Sequence, residues 1–157
     1  MIFVNDLYHY RVHIESATRP LYAELIKKYG KENVNELWDE SKHEQYIHES
    51  LRDVAAPIGM VTLLLKEFDH SASTNQAIQW AHACNYRLTF PWEREAFSRS
   101  YPEFQRNRLI ADLGSLAHER NERITAILTS GASGPILGGG HYDRMWNVSD
   151  HFLFASA

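Results

Sequence analysis

The sequence predicts an α+β fold, predominantly helical, with a small sheet packed against helices. Three observations carry that expectation. Residues 7–15 alternate strictly, with Tyr8, Tyr10, Val12 and Ile14 apolar and His9, Arg11, His13 and Glu15 polar, which is the period-two signature of a half-buried strand. Residues 102–129 place Leu109, Leu113, Leu116, Ile124 and Ile127 on one helical stripe flanked by Ile110, Ala117 and Leu128, and Gly131 ends it. The aromatic-rich segment Tyr142 to Ala155 returns as a second strand near 147–155.

The remaining elements follow in order. Ser16 reads as an N-cap for a helix over 18–29, in which Leu21, Leu25 and Tyr29 share a face. Pro20 sits early, Lys27 and Lys28 suit the last turn, and Gly30 suits the position after it. Residues 32–55 read as one or two helices with the stripe Ile47, Leu51, Val54 and Ala55, broken by Pro57. Residues 59–68 fit a helix on their leucines and methionine, or a buried strand on their brevity and flanking Gly and Pro. Ser71 or Ser73 caps a helix running to about Asn85, and Arg87–Phe90 forms a short strand before Pro91. Gly131, Gly134, Gly138, Gly139 and Gly140 read as a mobile loop.

A chain of 157 residues with no internal repeat and no linker is expected to be one domain, 1–157. A formal charge of −4 and a pI near 6.1 argue against a nucleic-acid partner. The run Arg94, Arg99, Arg106 and Arg108 is interrupted by Glu93, Glu95 and Glu103. The single cysteine, Cys84, allows no intramolecular disulfide. Met1 to Asp6 lacks the basic and apolar regions of a signal peptide, and Val61 to Leu65 is too short to span a bilayer. A cytoplasmic location without membrane association is therefore expected.

Nine histidines form the compositional oddity, and their near-neutral titration suits acid–base chemistry. Their spacing does not suggest a metal. His43 and His48 diverge around a helix, and His9 and His13 stand about 13 Å apart along a strand. No organic-cofactor motif occurs. Ser130–Gly134 is not a nucleophile elbow, and the glycine-rich stretch lacks the Gly-Lys-Ser/Thr of a phosphate loop. The carboxylate pairs Asp39–Glu40 and Glu93–Glu95 read as solvated charge.

Three places could carry chemistry. The strand face His9, Arg11, His13 could floor a site. Arg120 falls inside the apolar stripe of the long helix, where its permanent charge demands an ion pair or an anion. The glycines deliver His141, Tyr142, Asp143 and Arg144 like an active-site lid. If the two terminal strands are neighbours, these groups meet in one pocket. The function expected is then a small enzyme, of lyase, isomerase or hydrolase type, acting on an anionic small molecule without a cofactor. His141 or His13 would be the acid or base, oriented by Asp143. Arg120, Arg11, His9, Tyr142 and Arg144 would bind substrate. The alternative is a non-catalytic protein-binding module, an inhibitor or assembly component, with Trp38, Trp92 and Trp146 as anchors. A homo-oligomer or a protein partner is compatible with either.

Overall fold

The computed structural model describes residues 8–157. In chain order the elements are β1 (Tyr8–Ile14), α1 (Tyr22–Tyr29), β2 (Gln45–Ile47), β3 (Gly59–Glu67), β4 (Ala72–Ser73), α2 (Thr74–Ala83), β5 (Tyr86–Leu88), α3 (Pro91–Ser100), β6 (Ile110–Glu119), β7 (Glu122–Gly131), β8 (Gly134–His141), β9 (Met145–Trp146) and β10 (His151–Ser156). Short 3-10 turns stand at Lys31–Asn33, Glu36–Trp38, Glu49–Leu51 and Pro102–Arg106.

A large mixed sheet, not a small one, organises the molecule. Its order is β1-β3-β10-β6-β7-β8, with β2 added to the far part of β6 and β5 to the far part of β10. Every neighbouring pair is antiparallel except β10 and β6, which run parallel at His151↔Ile110 and Phe152↔Ala111. The expectation of a predominantly helical chain is overturned by this eight-stranded sheet.

The sheet is covered on both faces, and that explains the misreading. On one face Val61, Leu63, Leu65, Leu153, Ala155, Ile124, Ala126 and Leu128 pack with Leu25, Tyr29, Ala96 and Phe97 of α1 and α3. On the other, Leu64, Phe152, Phe154, Leu113 and Ile127 pack with Ala77, Ile78 and Ala81 of α2. Strands buried on both faces lose the alternation by which strands are recognised and read as continuous apolar runs. β3 is such a strand at Leu63–Leu65, and so is β6, where every residue from Ile110 to Ala117 is buried.

The expected helix over 102–129 is therefore a hairpin. Arg120 and Asn121 turn it with φ of 51° and 68°, the positive values a tight two-residue turn demands. Gly114 lies where β6 crosses β5's exit: a Cβ there would stand 2.0 Å from Thr89 O, so no larger residue fits. The glycine-rich stretch is strand β8, paired to β7 from Ile124↔His141 to Gly131↔Gly134. Its bare backbone at Gly139 and Gly140 makes room for Ile124 and Ile127, whose methyls a Cβ would meet at 2.8 and 2.5 Å.

Some local signals hold: α1 ends at Tyr29 with Gly30 after it as expected, but it begins at Tyr22 with Leu21, and not Ser16, at its N-cap. Ser73 caps α2 in a reciprocal box, Ser73 Oγ accepting Gln76 N–H at 3.1 Å and Gln76 Oε1 accepting Ser73 N–H at 2.8 Å. Residues 32–55 form 3-10 turns and β2 in place of the expected helices. Trp38 and Trp146 are core residues at 3% and 0% exposure, so neither is the surface anchor expected of a protein-binding module. No helix among the described residues is long and apolar enough to cross a membrane.

Candidate functional site

The chemistry-bearing groups concentrate under α3. Pro91 supplies a first helical residue without an N–H, and Glu93 Oε1 accepts the Phe90 N–H at 2.8 Å. Helix α3 then crosses the sheet so closely that Glu93, Arg94 and Glu95, three consecutive charges, are all buried. Glu93 takes Arg87 in a two-point pair at 2.8 and 2.8 Å. Arg94 reaches the opposite way. Its Nε donates to Glu95 Oε2 at 2.8 Å, and its Nη1 donates to Asp112 Oδ2 at 3.2 Å and Ser115 Oγ at 3.0 Å.

Each carboxylate in this network is held by donors. Asp112 accepts Thr89 Oγ1 and Ser115 Oγ at 2.6 Å each and Gly114 N–H at 3.1 Å, in addition to Arg94. Burial pushes its carboxyl up, against the pull of Arg94 and these donors. Glu95 accepts Lys28 Nζ at 2.8 Å and Tyr29 Oη at 3.0 Å. Burial would raise the Glu95 carboxyl, but Arg94 and Lys28 outweigh it and hold it below the usual carboxylate range. For Arg94 burial opposes the charge, and Glu95 and Asp112 restore it and strengthen its hold on its proton.

Arg94 Nη2 has no hydrogen-bond partner among the described residues. The guanidinium borders a small cavity of about 10 Å³, shared with Arg19, Trp38, Gln45 and Ser115, which is room for one water. Arg19 is half-buried, donates to Gln45 O at 3.1 Å, and makes no ion pair among the described residues. Its affinity for its proton is lowered, first by burial and then by Arg94, with Glu40 opposing. On the other side of Arg19 and Pro20 opens a cleft of about 570 Å³, lined by His13, Thr18, Trp92, Glu95 and Arg99 among others. Trp92 Nε1 is buried without a hydrogen-bond partner.

A second cluster lies on the opposite face. His48 Nε2 and Tyr142 Oη are 2.8 Å apart, the Arg123 guanidinium sits 3.9 Å from the Tyr142 ring centroid, and Glu49 accepts from Arg123 at 3.4 Å. Burial lowers the His48 imidazole, and Arg123 and His82 add to that while Glu49 opposes it. Tyr142 is raised, chiefly by burial.

The residues expected from the sequence do not form one pocket. His9, Arg11 and His13 lie on β1 at one edge of the sheet, and His141 and Asp143 lie at the end of β8, the other edge. The terminal strands β1 and β10 are separated by β3. His9 Nε2 meets Tyr86 Oη at 2.7 Å, and Arg11 is exposed. Arg120 occupies an exposed turn instead of a buried stripe, because the helix that placed it there does not exist. His141 pairs in the open with Glu122, at 63% and 60% side-chain exposure. Asp143 is exposed, and Arg144 lies over the Trp146 ring at 4.3 Å. Of the expected groups only His13 lines the arginine cleft, and only Tyr142 enters a buried polar cluster.

The expectation that Glu93–Glu95 is solvated charge is overturned, since Glu93, Arg94 and Glu95 are all buried, and the sequence does not single out Asp112 or Arg19. One signal was present: Glu93-Arg94-Glu95 lies between Pro91 and the apolar pair Ala96-Phe97, a charged run with apolar flanks. Among the described residues no group of three or more His, Cys, Asp or Glu side chains is placed to hold a metal ion. Comparison with family models, with curated proteins and with solved structures finds no match.

Proposed function

We propose that the protein is a small enzyme that binds an anionic small molecule between residues 15–21 and α3. Arg19 and Arg94 hold the anionic group, and His13, which lines the cleft on the other side of Arg19, serves as the acid or base for the part of the molecule that extends there. One observation carries this: two guanidiniums border the same cavity, one with an unused Nη2 and the other without a carboxylate partner among the described residues. Like charges brought together out of water are unfavourable, and an anion at this cavity would relieve Arg19, since Arg94 already has Glu95 and Asp112. A carboxylate or phosphate is larger than the cavity, so its entry requires the Arg19–Pro20 segment to move outward.

The test is a thermal-shift series with acetate, inorganic phosphate and sulfate on the wild type and Arg19→Gln. At about one hundred times Kd, a site of this kind raises Tm by roughly 5–10 °C. That gain should vanish in Arg19→Gln and persist in His13→Gln, which leaves both guanidiniums in place. If all three anions leave the wild type unshifted while Arg19→Gln melts higher than the wild type, Arg19 is merely a strained cation and the idea fails.

A further inference from the structure

Three residues, His48, Glu49 and Ser50, carry an arrangement that the anion cleft does not use. The backbone there is fixed: His48 N–H donates to Gly114 O at 2.9 Å, extending the β2–β6 pairing. The His48 ring is buried, with Nδ1 accepting the Ser50 N–H at 3.0 Å. In the neutral ring that assigns the lone pair to Nδ1 and the proton to Nε2. Nε2 then donates to Tyr142 Oη at 2.8 Å, and Tyr142 is itself anchored, since its carbonyl accepts the Thr74 hydroxyl. The Ser50 hydroxyl stands 2.9 Å from the same Nδ1. With the ring proton on the far nitrogen, Ser50 Oγ–H is the donor and shares the single Nδ1 lone pair with the Ser50 N–H, a bond that is released when Nδ1 takes a proton. A nucleophile, its base and a group orienting the base are thus within hydrogen-bond reach of one another. Ser50 is only partly buried, and its chain neighbours Glu49 and Leu51, with Tyr46, Ile47, His48, Arg52, Val54 and Phe90, line a cavity of about 470 Å³ that Ser50 itself does not line.

We propose that Ser50 is a nucleophile activated by His48, and that the adjoining cavity takes the apolar acyl group of a short carboxylic ester. Ser50 Oγ attacks the ester carbonyl carbon while its proton passes to His48 Nδ1. The bond from that carbon to the leaving alcohol breaks, and the alkoxide takes the proton from Nδ1. Water then attacks the acyl-Ser50 ester, giving one proton to Nδ1, and the released Ser50 oxygen recovers it. The imidazolium formed in each half is faced by Glu49, whose carboxylate lies 3.7 Å from Nε2.

The experiment uses the full chain and a fluorophosphonate probe, in which Ser50 Oγ displaces fluoride from phosphorus. Peptide mass mapping should find the adduct on Ser50, absent in Ser50→Ala and in urea-unfolded protein. His48→Gln should slow labelling roughly a hundredfold, the exposed Lys42→Gln should leave it unchanged, and inorganic phosphate should not compete with it, which separates this site from the anion cleft. Because His48→Gln could disturb packing, Ser50→Cys provides an independent readout, with the exposed Cys84 as an internal standard. At pH 6.5 iodoacetamide should alkylate the introduced thiol faster than Cys84 by on the order of tenfold, since a base alongside favours the thiolate. Wild-type protein with Ser50 unlabelled, equal labelling in His48→Gln, or a thiol no faster than Cys84 would each overturn the proposal.

Discussion

The two faces of one sheet both hold aromatic clusters, Tyr10 with Phe97 and Phe104 on the α3 side, but they differ in how much charge they bury. The face under α2 is closed by aromatic packing: Trp146 against Phe152 at 5.6 Å, Phe68 against Phe152 at 5.6 Å, and Phe152 stacked on Phe154 at 6.1 Å. Its buried indole donor is satisfied, Trp146 Nε1 donating to Thr74 Oγ1 at 2.9 Å. The face under α3 buries Arg94, Glu95 and Asp112 and satisfies them with Lys28, Tyr29, Thr89 and Ser115. Aromatic packing is non-directional and leaves no group wanting a partner. A charged network has a fixed number of donors and acceptors, and on this face a guanidinium nitrogen and the Trp92 Nε1 remain unused. Paired charges contribute little net stability over apolar residues of the same volume, so such a network is a poor way merely to hold a helix down. Its unused donors are the reason the anion site is proposed there.

The largest expected effects test whether the faces respond differently to loss of one partner. Asp112→Ala should cost about 3–5 kcal/mol in urea unfolding, because it leaves buried Arg94 with Glu95 alone, a carboxylate that Lys28 already shares. Phe152→Ala should cost a similar ~3–5 kcal/mol through cavity formation. The double replacement Arg94→Met/Asp112→Leu should recover much of the first loss, whereas no second change on the face under α2 restores the second. If the double replacement is as unstable as Asp112→Ala, the network is structural and the contrast between the faces collapses. A smaller effect, roughly 1–3 kcal/mol, is expected for Thr74→Val, which leaves the Trp146 indole N–H without an acceptor.

Acidification should act on both faces, through His48 beside Tyr142 on one and half-buried His151, on the Leu153 side of β10, on the other. Burial lowers both His48 and His151 below their ordinary 6.5. The unfolded chain therefore binds protons at a higher pH than the folded one, so stability is full above about pH 6.5 and falls as the pH drops through the folded values. Urea midpoints measured from pH 7.5 to 5.5 should decline, and His48→Gln should decline less. The smallest effects belong to the exposed groups. Glu122→Gln, removing the His141 pair, should change stability by no more than about 0.5 kcal/mol. Arg120→Asn should be neutral or stabilising by a few tenths of a kcal/mol, since asparagine suits the positive φ of the turn. A large loss at Arg120 would mean that the turn is not exposed as described.

What was legible in the chain follows from how far each signal reaches. Strand β1 was visible because only one of its faces is buried, so Val12 and Ile14 alternate with exposed Arg11 and His13. The α2 cap was visible because Ser73 and Gln76 bond within one turn. The hairpin β6–β7 was not, because burial on both faces of β6 erased its period and left leucines that happen to fall at helical spacing. Yet β7 carried a warning in Ile124, Thr125, Ile127 and Thr129, β-branched residues that disfavour helix. Of the candidate sites, His13 and Tyr142 were singled out from type and position, but their partners Arg19 and His48 could not be, since each lies across the fold or beyond a change of direction.

By itself the sequence determined the local elements: an alternating edge strand, a boxed helix, and a terminal strand, here His151–Ser156. It also determined which residues carry charge. Tertiary structure alone decided which charges are buried. A carboxylate in Glu93-Arg94-Glu95 looks solvated until α3 is laid across β6, and only then do Asp112 and Ser115, eighteen and twenty-one residues on, become the partners of Arg94. Secondary structure is set by interactions a few residues long, whereas the protonation and reach of a buried ion depend on groups brought together across the whole chain.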